Sequence, residues 1–420
     1  MILYRARYLC PVNIPPIEDG ALLVREGRIL AVGPRDEVET PASATIVDFD
    51  DAILLPPLVN AHTHLELTDF PRWAQELGEP EGSASFVDWV KSVIRVKRAT
   101  EPGHYAPSVV AGIRASLAAG TGAVGDILSW FPARSAYRDA PLFGRVFLET
   151  LGRDPTRNRQ IMGSLAKILK EGQAGRLELG LSPHSPYTLS SEYLEEVAEY
   201  ARRQRIPLAI HLAESAEEVA FLDESTGPIA SELYPFVGWE DMLPPPARRD
   251  PVSYLNERGG LHRDSLLVHG VHVAEWACGQ IAGTGASVVL CPRSNARLGV
   301  GRAPVTDYLA AGVNLALGTD SRASCDSLSV WDELAFAREW FSGNAIPTDL
   351  LRMATLGGAR ALGISGEIGA LAPRMGAHFQ VLRPQCPPSF DQLDEFLCSP
   401  GRTKEVERLY LRGREVLQTA

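Results

Sequence analysis

The chain has 420 residues, 45% of them hydrophobic and 22% charged, as is usual for a globular protein with one large and one smaller domain. Its formal net charge of −11 argues against nucleic acid or an anionic membrane surface as a partner. No apolar run reaches the ~20 residues that a membrane span requires, and six widely spaced cysteines are typical of reduced core thiols. We therefore expect a cytoplasmic protein.

Both ends of the chain are predicted to form β-structure. Residues 1–55 contain strand-like segments such as "ALLVREGRILAVG" and "ATIVDFDDAILL", with Gly and Asp at the turns. Residues 369–420 contain "HFQVL" and "LYLRGREVL", which have the same character. The two ends are predicted to pair into one small β-sandwich-like domain.

Residues 56–368 show a different pattern, in which short apolar segments alternate with helical stretches. Eight such segments are present: "LLPPLVNAHTHL", "TGAVGDIL", "LFGRVFLET", "LELGLSPHS", "PLAIHLAES", "SLLVHGVHV", "ASVVLCPRSN" and "NLALGTDS". Eight β-then-α units predict an α/β fold of the (β/α)₈ TIM barrel type. The longest insertion, about residues 222–262, follows the fifth segment, and we expect it to cover the barrel mouth.

Two histidines one residue apart, His62 and His64, end the first barrel segment. Side chains at positions i and i+2 of a strand point to the same side, so both imidazoles would face one point. Neutral imidazole is the commonest protein ligand for metal ions. Two histidines make at most half a site, so the other ligands must come from the rest of the chain.

Other barrel segments also end in polar residues, at the positions where TIM barrels carry their chemistry. These residues are His184 on the fourth segment, His211 and Glu214 on the fifth, His269 on the sixth and Asp320 on the eighth. The histidine pair, His211 and Asp320 together offer three nitrogens and one oxygen. Such a set suits one divalent metal ion, zinc or iron(II), and leaves a coordination position for water.

The remaining polar residues at these ends supply candidates for proton transfer. Glu214 lies three residues beyond His211, where the strand leaves the barrel, and is expected to act as the general acid and base. Asp320 can also accept a proton from the attacking water. His269, on the neighbouring strand, can orient that water or polarise the substrate.

The motifs "LVNAHTHLEL", "HLAES", "VHGVHV", "CPRSN" and "LGTDS", taken in order, resemble the amidohydrolase superfamily, in its branch of nucleoside and nucleobase deaminases and related chlorohydrolases. The resemblance covers almost the whole chain. It implies one metal ion on the four ligands named above, with Glu214 and His269 assisting water attack and proton transfer. Binuclear members carry a carboxylated Lys on the fourth strand, which "LELGLSPHS" lacks, so one ion is expected. The segment "SPHSPYTLS" resembles a substrate-binding segment, which implies that His184 contacts a ribose hydroxyl.

One stretch departs from this pattern. Many members end the barrel region with a "GKDADLVVL"-like sequence, whereas this chain has "PRMGAHFQVL", with His378 in place of the acidic residue. That position belongs to the predicted β domain, so the departure concerns contacts between domains and not the chemistry.

A closer resemblance, to the aminodeoxyfutalosine deaminases of menaquinone biosynthesis, is carried by "AHTHLEL" and "SFVDWVKSVIRVKR". Their small-molecule nucleoside substrate joins adenine, a ribose-derived linker and a benzoate. The resemblance implies that Trp89 stacks on this substrate. It also implies that Arg95, Lys97 or Arg98 holds the carboxylate, although such a basic run is as often a solvated helix face.

Several alternatives remain open at this stage. Arg145 and Glu149 on the third strand are further substrate-binding candidates, or else a buried ion pair. A deaminase of S-adenosylhomocysteine or methylthioadenosine, or a chlorohydrolase, would use the same site. A metal-binding barrel without catalysis is the alternative from another class, but its expected mark, loss of a ligand or of Glu214, is absent from the sequence. The resemblance allows a homodimer and does not distinguish zinc from iron(II).

Overall fold

The computed structural model describes residues 1–80, 82, 84–172 and 174–418. The chain begins with five strands: β1 (Ile2–Leu9), β2 (Ile17–Arg25), β3 (Arg28–Pro34), β4 (Thr45–Asp48) and β5 (Ile53–Leu55). β2 and β3 form an antiparallel hairpin in which Arg25 pairs with Arg28. Glu26 and Gly27 between them both have positive φ, as a tight two-residue turn requires.

Eight parallel strands of the described residues form the barrel. They are β6 (Leu58–Thr63), β7 (Thr121–Leu128), β8 (Phe143–Thr150), β9 (Glu178–Pro183), β10 (Leu208–Leu212), β11 (Ser265–His269), β12 (Ser287–Leu290) and β13 (Asn314–Leu317). Each strand neighbours the next in chain order, and a bridge between Thr63 and Asp320 joins the last strand end to the first. Each predicted barrel segment contains one of these strands, so the predicted TIM barrel is confirmed.

Helices connect and surround the strands. They are α1 (Phe70–Glu76), α2 (Phe86–Ala99), α3 (Tyr105–Ala118), α4 (Pro155–Glu171), α5 (Ser191–Gln204), α6 (Ala216–Glu224), α7 (Tyr234–Val237), α8 (Pro251–Glu257), α9 (Glu275–Thr284), α10 (Pro292–Leu298), α11 (Val305–Ala311), α12 (Val330–Trp340), α13 (Pro347–Arg352), α14 (Gly358–Ala361) and α15 (Leu393–Leu397). Their ends follow ordinary capping chemistry. Ser190 accepts a hydrogen bond from the backbone of Tyr193 at the start of α5, and Gly299 ends α10 with a positive φ. Among the described helices, none combines the length and apolar character needed to cross a bilayer.

The last strands return to the first ones. β14 (Phe379–Leu382), β15 (Val406–Leu411) and β16 (Arg414–Gln418) join the N-terminal strands in one sheet, through antiparallel pairing of β14 with β5. The expected separate β layer built from both ends is therefore confirmed. Division of the chain at residues 55/56 and 368/369 stays a prediction. His378 is buried there, with its ring 4.6 Å from that of Phe143 at the start of β8.

The insertion after β10 lies over the carboxyl end of the barrel. Within it, Leu233, Val237 and Trp239 line the cavity described below. The hydroxyl of Tyr234 donates to the carbonyl oxygen of Tyr187 at 2.9 Å, which ties the insertion to the barrel. The segment occupies the place expected of a cover for the mouth.

Candidate metal centre and substrate cavity

Four polar side chains meet at the carboxyl end of the barrel. His62 and His64 lie on or directly after β6, His211 lies on β10, and Asp320 follows β13. One ligand atom from each lies within 4.8 Å of the others, and all four residues are buried. The strand ends thus bring together the four metal ligands predicted from the sequence. The most distant of them, His62 and Asp320, are 258 residues apart along the chain.

Burial favours the neutral, metal-binding form of two of these histidines, and a hydrogen bond orients the third. Nδ1 of His211 lies 2.8 Å from the carbonyl oxygen of His184, so Nδ1 carries the proton and Nε2 keeps its lone pair. Burial lowers the pKa of His62, and it lowers the pKa of His64 well below the usual value. Neither ring nitrogen of His62 has a hydrogen-bond partner among the described residues. Buried polar atoms normally have partners, and an ion at Nε2 would account for one of these two.

Asp320 is the anionic member of the set. Burial raises the pKa of this carboxyl, but its contact with Nε2 of His62 at 3.4 Å and the other neighbouring imidazoles outweigh burial and hold the pKa well below its usual range. The backbone of Asp320 has a φ of 58°, which residues other than Gly rarely adopt. A Cβ on Gly318 would lie 2.8 Å from the carbonyl oxygen of His62. Glycine therefore permits the close approach of the chain after β13 to β6.

This donor set fits the ion that the sequence pattern predicts. Three buried imidazoles and one carboxylate suit zinc or iron(II), with room in the coordination sphere for water. β9 contains no lysine that could bridge a second ion. The described residues therefore fit a single divalent ion.

Glu214 and His269 lie beside the four ligands. Oε1 of Glu214 lies 3.4 Å from Nε2 of His269, and both side chains are buried. Burial, and then the negative charge of Asp320, raise the pKa of Glu214 well above its usual value. The backbone amides of Ala213 and Glu214 both donate to the carboxylate of Glu218 at 3.0 Å, which fixes this turn. A carboxyl so placed can hold a proton and pass it to a substrate.

A cavity of about 650 Å³ opens above these side chains, within the range of about 300–1,000 Å³ usual for small-molecule sites. Its wall combines the ligands and Glu214 with aromatic and aliphatic side chains, which include Trp89, Tyr105, Trp130, Tyr187, Leu233 and Trp239. Trp130 and Leu151 are 38% and 40% exposed at this wall, so part of the wall that faces water is apolar.

Five of the predicted substrate-binding candidates line this cavity: Trp89, Lys97, Arg98, Glu149 and His184. Trp89 is half-buried, and its indole nitrogen donates to the carbonyl oxygen of Ala323 at 3.1 Å, which fixes the ring. Nδ1 of His184 is engaged by the hydroxyls of Ser185 and Thr188 at 3.0 and 3.1 Å, which leaves Nε2 for a ligand. Glu149 is only 8% exposed and has no hydrogen-bond partner among the described residues.

Lys97 lines the cavity near Glu149 and is occupied by protein partners. Its ammonium contacts Oε1 of Glu66 at 3.3 Å and the hydroxyl of Ser129 at 2.7 Å. Glu66 is fully buried and also accepts hydrogen bonds from the backbone amides of Ser129 and Trp130. Lys97 therefore balances a buried carboxylate and is a weak candidate for holding a substrate anion.

The arginines of α2 differ in their surroundings. Arg98 lines the cavity, with its guanidinium 5.8 Å from the centre of the Phe236 ring, and no described carboxylate pairs with it. Arg95 does not line the cavity. Its guanidinium makes two hydrogen bonds to Glu79, at 2.6 and 2.7 Å, and this pairing lowers the pKa of Glu79 to about 2. The structure thus separates two residues that the sequence analysis grouped.

Arg145 also lies away from the cavity. It is the third residue of β8, near the amino end of the strand, whereas Glu149 is near the carboxyl end. Its guanidinium pairs with Glu178 at 2.7 Å and donates to the carbonyl oxygen of Leu362 at 2.7 Å. The suggested contact between Arg145 and substrate has no support in this position, nor does an ion pair between Arg145 and Glu149.

Two arginines of the cavity wall were not identified from the sequence. Arg153 and Arg157 both line the cavity, and neither forms an ion pair with a described carboxylate. Arg153 is held by the carbonyl oxygens of Leu189 and Met242, at 2.5 and 3.1 Å. The available signal was its place directly after β8, in "LGRDP", at the end of the barrel where substrates bind.

Comparison with known proteins places these features in a family. The amidohydrolase family model matches residues 53–413, and a short match to an imidazolonepropionase-like composite domain covers residues 20–40. An aminodeoxyfutalosine deaminase of Deinococcus radiodurans is 32% identical over 356 residues, which cover 82% of this chain and 81% of the relative.

Two further comparisons concern another curated relative and a solved structure of the same fold. A 5-methylthioadenosine/S-adenosylhomocysteine deaminase of Moorella thermoacetica is 29% identical over 428 residues, which cover 98% of this chain and 93% of the relative. The crystal structure of Helicobacter pylori aminofutalosine deaminase in complex with methylthio-coformycin has a TM-score of 0.85 at 24% identity, and the match covers 99% of this chain and 100% of that one. That structure shares the fold.

Proposed function

Because the chain belongs to the amidohydrolase family, we propose that it deaminates an adenine nucleoside whose 5′ side carries an aromatic carboxylate, with 6-aminodeoxyfutalosine of menaquinone biosynthesis as the leading substrate. The family and its deaminase relatives make the chain an aminohydrolase. The observation that carries the finer proposal is the cavity itself. Its wall joins a buried proton-transfer pair, Glu214 and His269, to apolar side chains and to Arg153, which has no anionic partner among the described residues.

The chemistry follows from the positions of the buried groups. The four ligand side chains would hold a divalent ion, which would lower the pKa of a bound water toward neutrality. Glu214, whose pKa burial raises, gives a proton to the ring nitrogen next to the carbon under attack. Oxygen adds to that carbon while Asp320 accepts a proton from the water and passes it to the amine. The C–N bond then breaks, ammonia leaves, and the added hydroxyl returns a proton to Glu214 as it becomes the carbonyl. His269 Nε2, which faces Glu214 at 3.4 Å, orients the water.

The nucleoside part of the substrate is assigned to three cavity residues. Trp89 offers an aromatic face for the purine, and its fixed indole nitrogen keeps the ring in place. Nε2 of His184 and the free carboxylate of Glu149 offer hydrogen-bonding groups for ribose hydroxyls. Both groups are desolvated in the cavity wall, so each requires a polar partner when a ligand excludes water.

The carboxylate of the substrate is assigned to Arg153, with Arg98 and Arg157 adding positive potential. A guanidinium has five N–H donors, and two nitrogens of Arg153 already bond to carbonyl oxygens, so the group is oriented while donors on the third nitrogen remain. Arg pairs with carboxylates through planar, two-pronged hydrogen bonds. In a chain with a net charge of −11, a guanidinium at a cavity that forms no ion pair with a described carboxylate supports an anionic ligand.

Deamination of S-adenosylhomocysteine or methylthioadenosine is the second candidate. It is favoured by the relative from Moorella thermoacetica, whose similarity extends over 98% of this chain. The amino-acid carboxylate of S-adenosylhomocysteine could also pair with Arg153. Methylthioadenosine carries no such group, so a comparison of these substrates distinguishes the two candidates.

The test is a steady-state screen of the metal-loaded enzyme. The reaction is measured by the loss of aminopurine absorbance. We expect kcat/KM to be highest for aminodeoxyfutalosine, lower for S-adenosylhomocysteine and lowest for methylthioadenosine and adenosine. If methylthioadenosine or adenosine is the best substrate, the futalosine assignment fails while the deaminase assignment stands. If only chloro- or methylthio-substituted rings react, the deaminase assignment fails as well.

A further inference from the structure

Two serines hold one oxygen of Asp320. The hydroxyl of Ser294, on α10, and that of Ser324 both donate to Oδ2 of Asp320 at 2.7 Å. Oδ1 is left facing Nε2 of His62 and of His64, at 3.4 and 3.5 Å. Both serines are fully buried, so these hydrogen bonds do not compete with water. A carboxylate held by one oxygen presents the other in a fixed direction.

The next residue of α10 holds His269. Oδ1 of Asn295 lies 2.9 Å from Nδ1 of His269, and both residues are buried. An amide oxygen only accepts, so Nδ1 must carry the proton and Nε2 must carry the lone pair. That lone pair lies on the nitrogen that faces Oε1 of Glu214. Without this contact the imidazole could take either tautomer, and only one of them directs a lone pair at Oε1 of Glu214.

The helix that carries both side chains is itself anchored. The backbone amide of Arg293 donates to Oε1 of Glu333 on α12 at 2.8 Å, and Glu333 is fully buried. The backbone amide of Asn295 donates to the carbonyl oxygen of Cys291 at 2.9 Å, which closes the first turn. Consecutive residues of one fixed turn thus reach Asp320 and His269, which belong to different strands.

We propose that Ser294, Ser324 and Asn295 are positioning residues of this centre. The two serines determine which oxygen of Asp320 faces the histidines, and Asn295 determines which nitrogen of His269 faces Glu214. The kinetic part of this proposal rests on the proposed function, whereas its metal-binding and spectroscopic parts do not.

The serine part is tested by zinc affinity. We would measure the zinc Kd by competition with a chelator for Ser294→Ala, Ser324→Ala and the double variant. Partners of metal ligands usually contribute about 10–100-fold to affinity, so the double variant should show a rise of that size and the single variants smaller rises. Ser287→Ala is the matched control, because Ser287 is also buried and hydrogen-bonded, but at the opposite end of β12. Its zinc Kd should equal that of the wild type.

The role of Asn295 is tested by a substitution that replaces its amide, whose oxygen accepts the hydrogen bond from His269, by a hydrocarbon side chain. Asn295→Leu should leave the zinc Kd unchanged and lower kcat by about 10–100-fold, with a smaller effect on KM. Asn295→Asp keeps an acceptor oxygen and should restore much of kcat. The tautomer of His269 is measured by NMR in protein labelled with ¹⁵N-histidine, and its ring signals are assigned by their absence from His269→Gln. The wild type and Asn295→Asp should each show one tautomer. Asn295→Leu should show a mixture of both tautomers.

The outcomes separate positioning from a general structural role. Equal zinc Kd values for the double serine variant and Ser287→Ala overturn the serine part. Unchanged kcat and an unchanged tautomer in Asn295→Leu overturn the asparagine part. Parallel losses of Tm, zinc affinity and kcat in every variant identify these residues as structural supports only, and the proposal fails. If the wild type deaminates no aminopurine, the proposed function fails, while the zinc Kd and the His269 signals still decide this proposal.

Discussion

Replacement of Arg153 by Met is expected to weaken specifically the binding of substrates that carry an anionic group. Met keeps an apolar chain of similar length but has no N–H donor for a carboxylate. A hydrogen bond to a charged group contributes about 1.5–3 kcal/mol. At about 1.4 kcal/mol per factor of ten, this predicts a rise in KM of about 10- to 150-fold. Arg153 is half-buried and reaches water at the mouth, so the lower part of that range, about 10- to 30-fold, is expected.

The variant also removes the hydrogen bonds of Arg153 to the carbonyl oxygens of Leu189 and Met242, which affects any substrate. Methylthioadenosine measures this common effect because it has no carboxylate. The quantity of interest is therefore the ratio of kcat/KM for aminodeoxyfutalosine to that for methylthioadenosine. We expect this ratio to fall about 10-fold or more in Arg153→Met, with kcat little changed.

Arg95→Met is the matched control. Arg95 is on α2, pairs with Glu79 and does not line the cavity, so its loss should leave the ratio unchanged. Equal losses for both substrates in Arg153→Met, or a fall of the ratio in Arg95→Met and not in Arg153→Met, would refute the assignment of the carboxylate to Arg153. The second result would return the anion to the outer face of α2.

Three further predictions concern the metal centre. Elemental analysis should find one equivalent of transition metal per chain, and His62→Ala and Asp320→Ala should each lose it; two equivalents in the wild type would contradict the single-ion site. Glu214→Gln should keep its Tm and its metal while kcat falls by at least the ~10²–10⁴ usual for general acid–base catalysis, and near-normal turnover would point to Asp320 as the proton carrier. Gly318→Ala places a Cβ 2.8 Å from the carbonyl oxygen of His62. Thermal unfolding should therefore show a free energy of unfolding lower by about 1–3 kcal/mol, and metal binding should be weaker. An unchanged Tm would show that β6 can move to accommodate the methyl group.

The barrel could be predicted from the sequence because its rules are local. Strand-length apolar runs alternate with helices in the sequence. Because the strands of a TIM barrel are parallel, the residue that follows each strand lies at the carboxyl end of the barrel. The histidine pair, His211 and Asp320 were therefore placed together without any tertiary information. The union of both chain ends in one sheet could also be predicted, because neither end shows helical periodicity, whereas the pairing of β5 with β14 is shown only by the structure.

The cavity wall was harder to predict because its side chains are selected by pairing across the fold. Arg95 and Arg98 are three positions apart on one helix, and no local pattern shows that Glu79 binds the first and leaves the second free. Arg145 and Glu149 are four positions apart on β8, so they share a face of the strand. At about 3.3 Å per residue they nevertheless lie about 13 Å apart along it, and only the second reaches the cavity.

The side chains that hold Asp320 and His269 could not be predicted from the sequence, although two of them lie in one of its motifs. "CPRSN" contains Ser294 and Asn295, and the sequence gives no sign of which residues they contact. Ser324 lies four residues after Asp320 in a loop without periodicity. Such contacts depend on how α10 is set against the ends of β11 and β13, which is a property of packing and not of spacing.

The two carbonyl contacts of Arg153 have a consequence for how this enzyme can change. Met242 belongs to the insertion that covers the cavity, so the guanidinium assigned to the anion also fastens the cover to the barrel. We therefore expect a substitution at this position to alter both ligand preference and the attachment of the cover. Arg157 offers an independent route, because its guanidinium forms no hydrogen bond or ion pair with the described residues. An exchange at position 157 should therefore change the charge of the cavity wall while the attachment of the cover by Arg153 is kept.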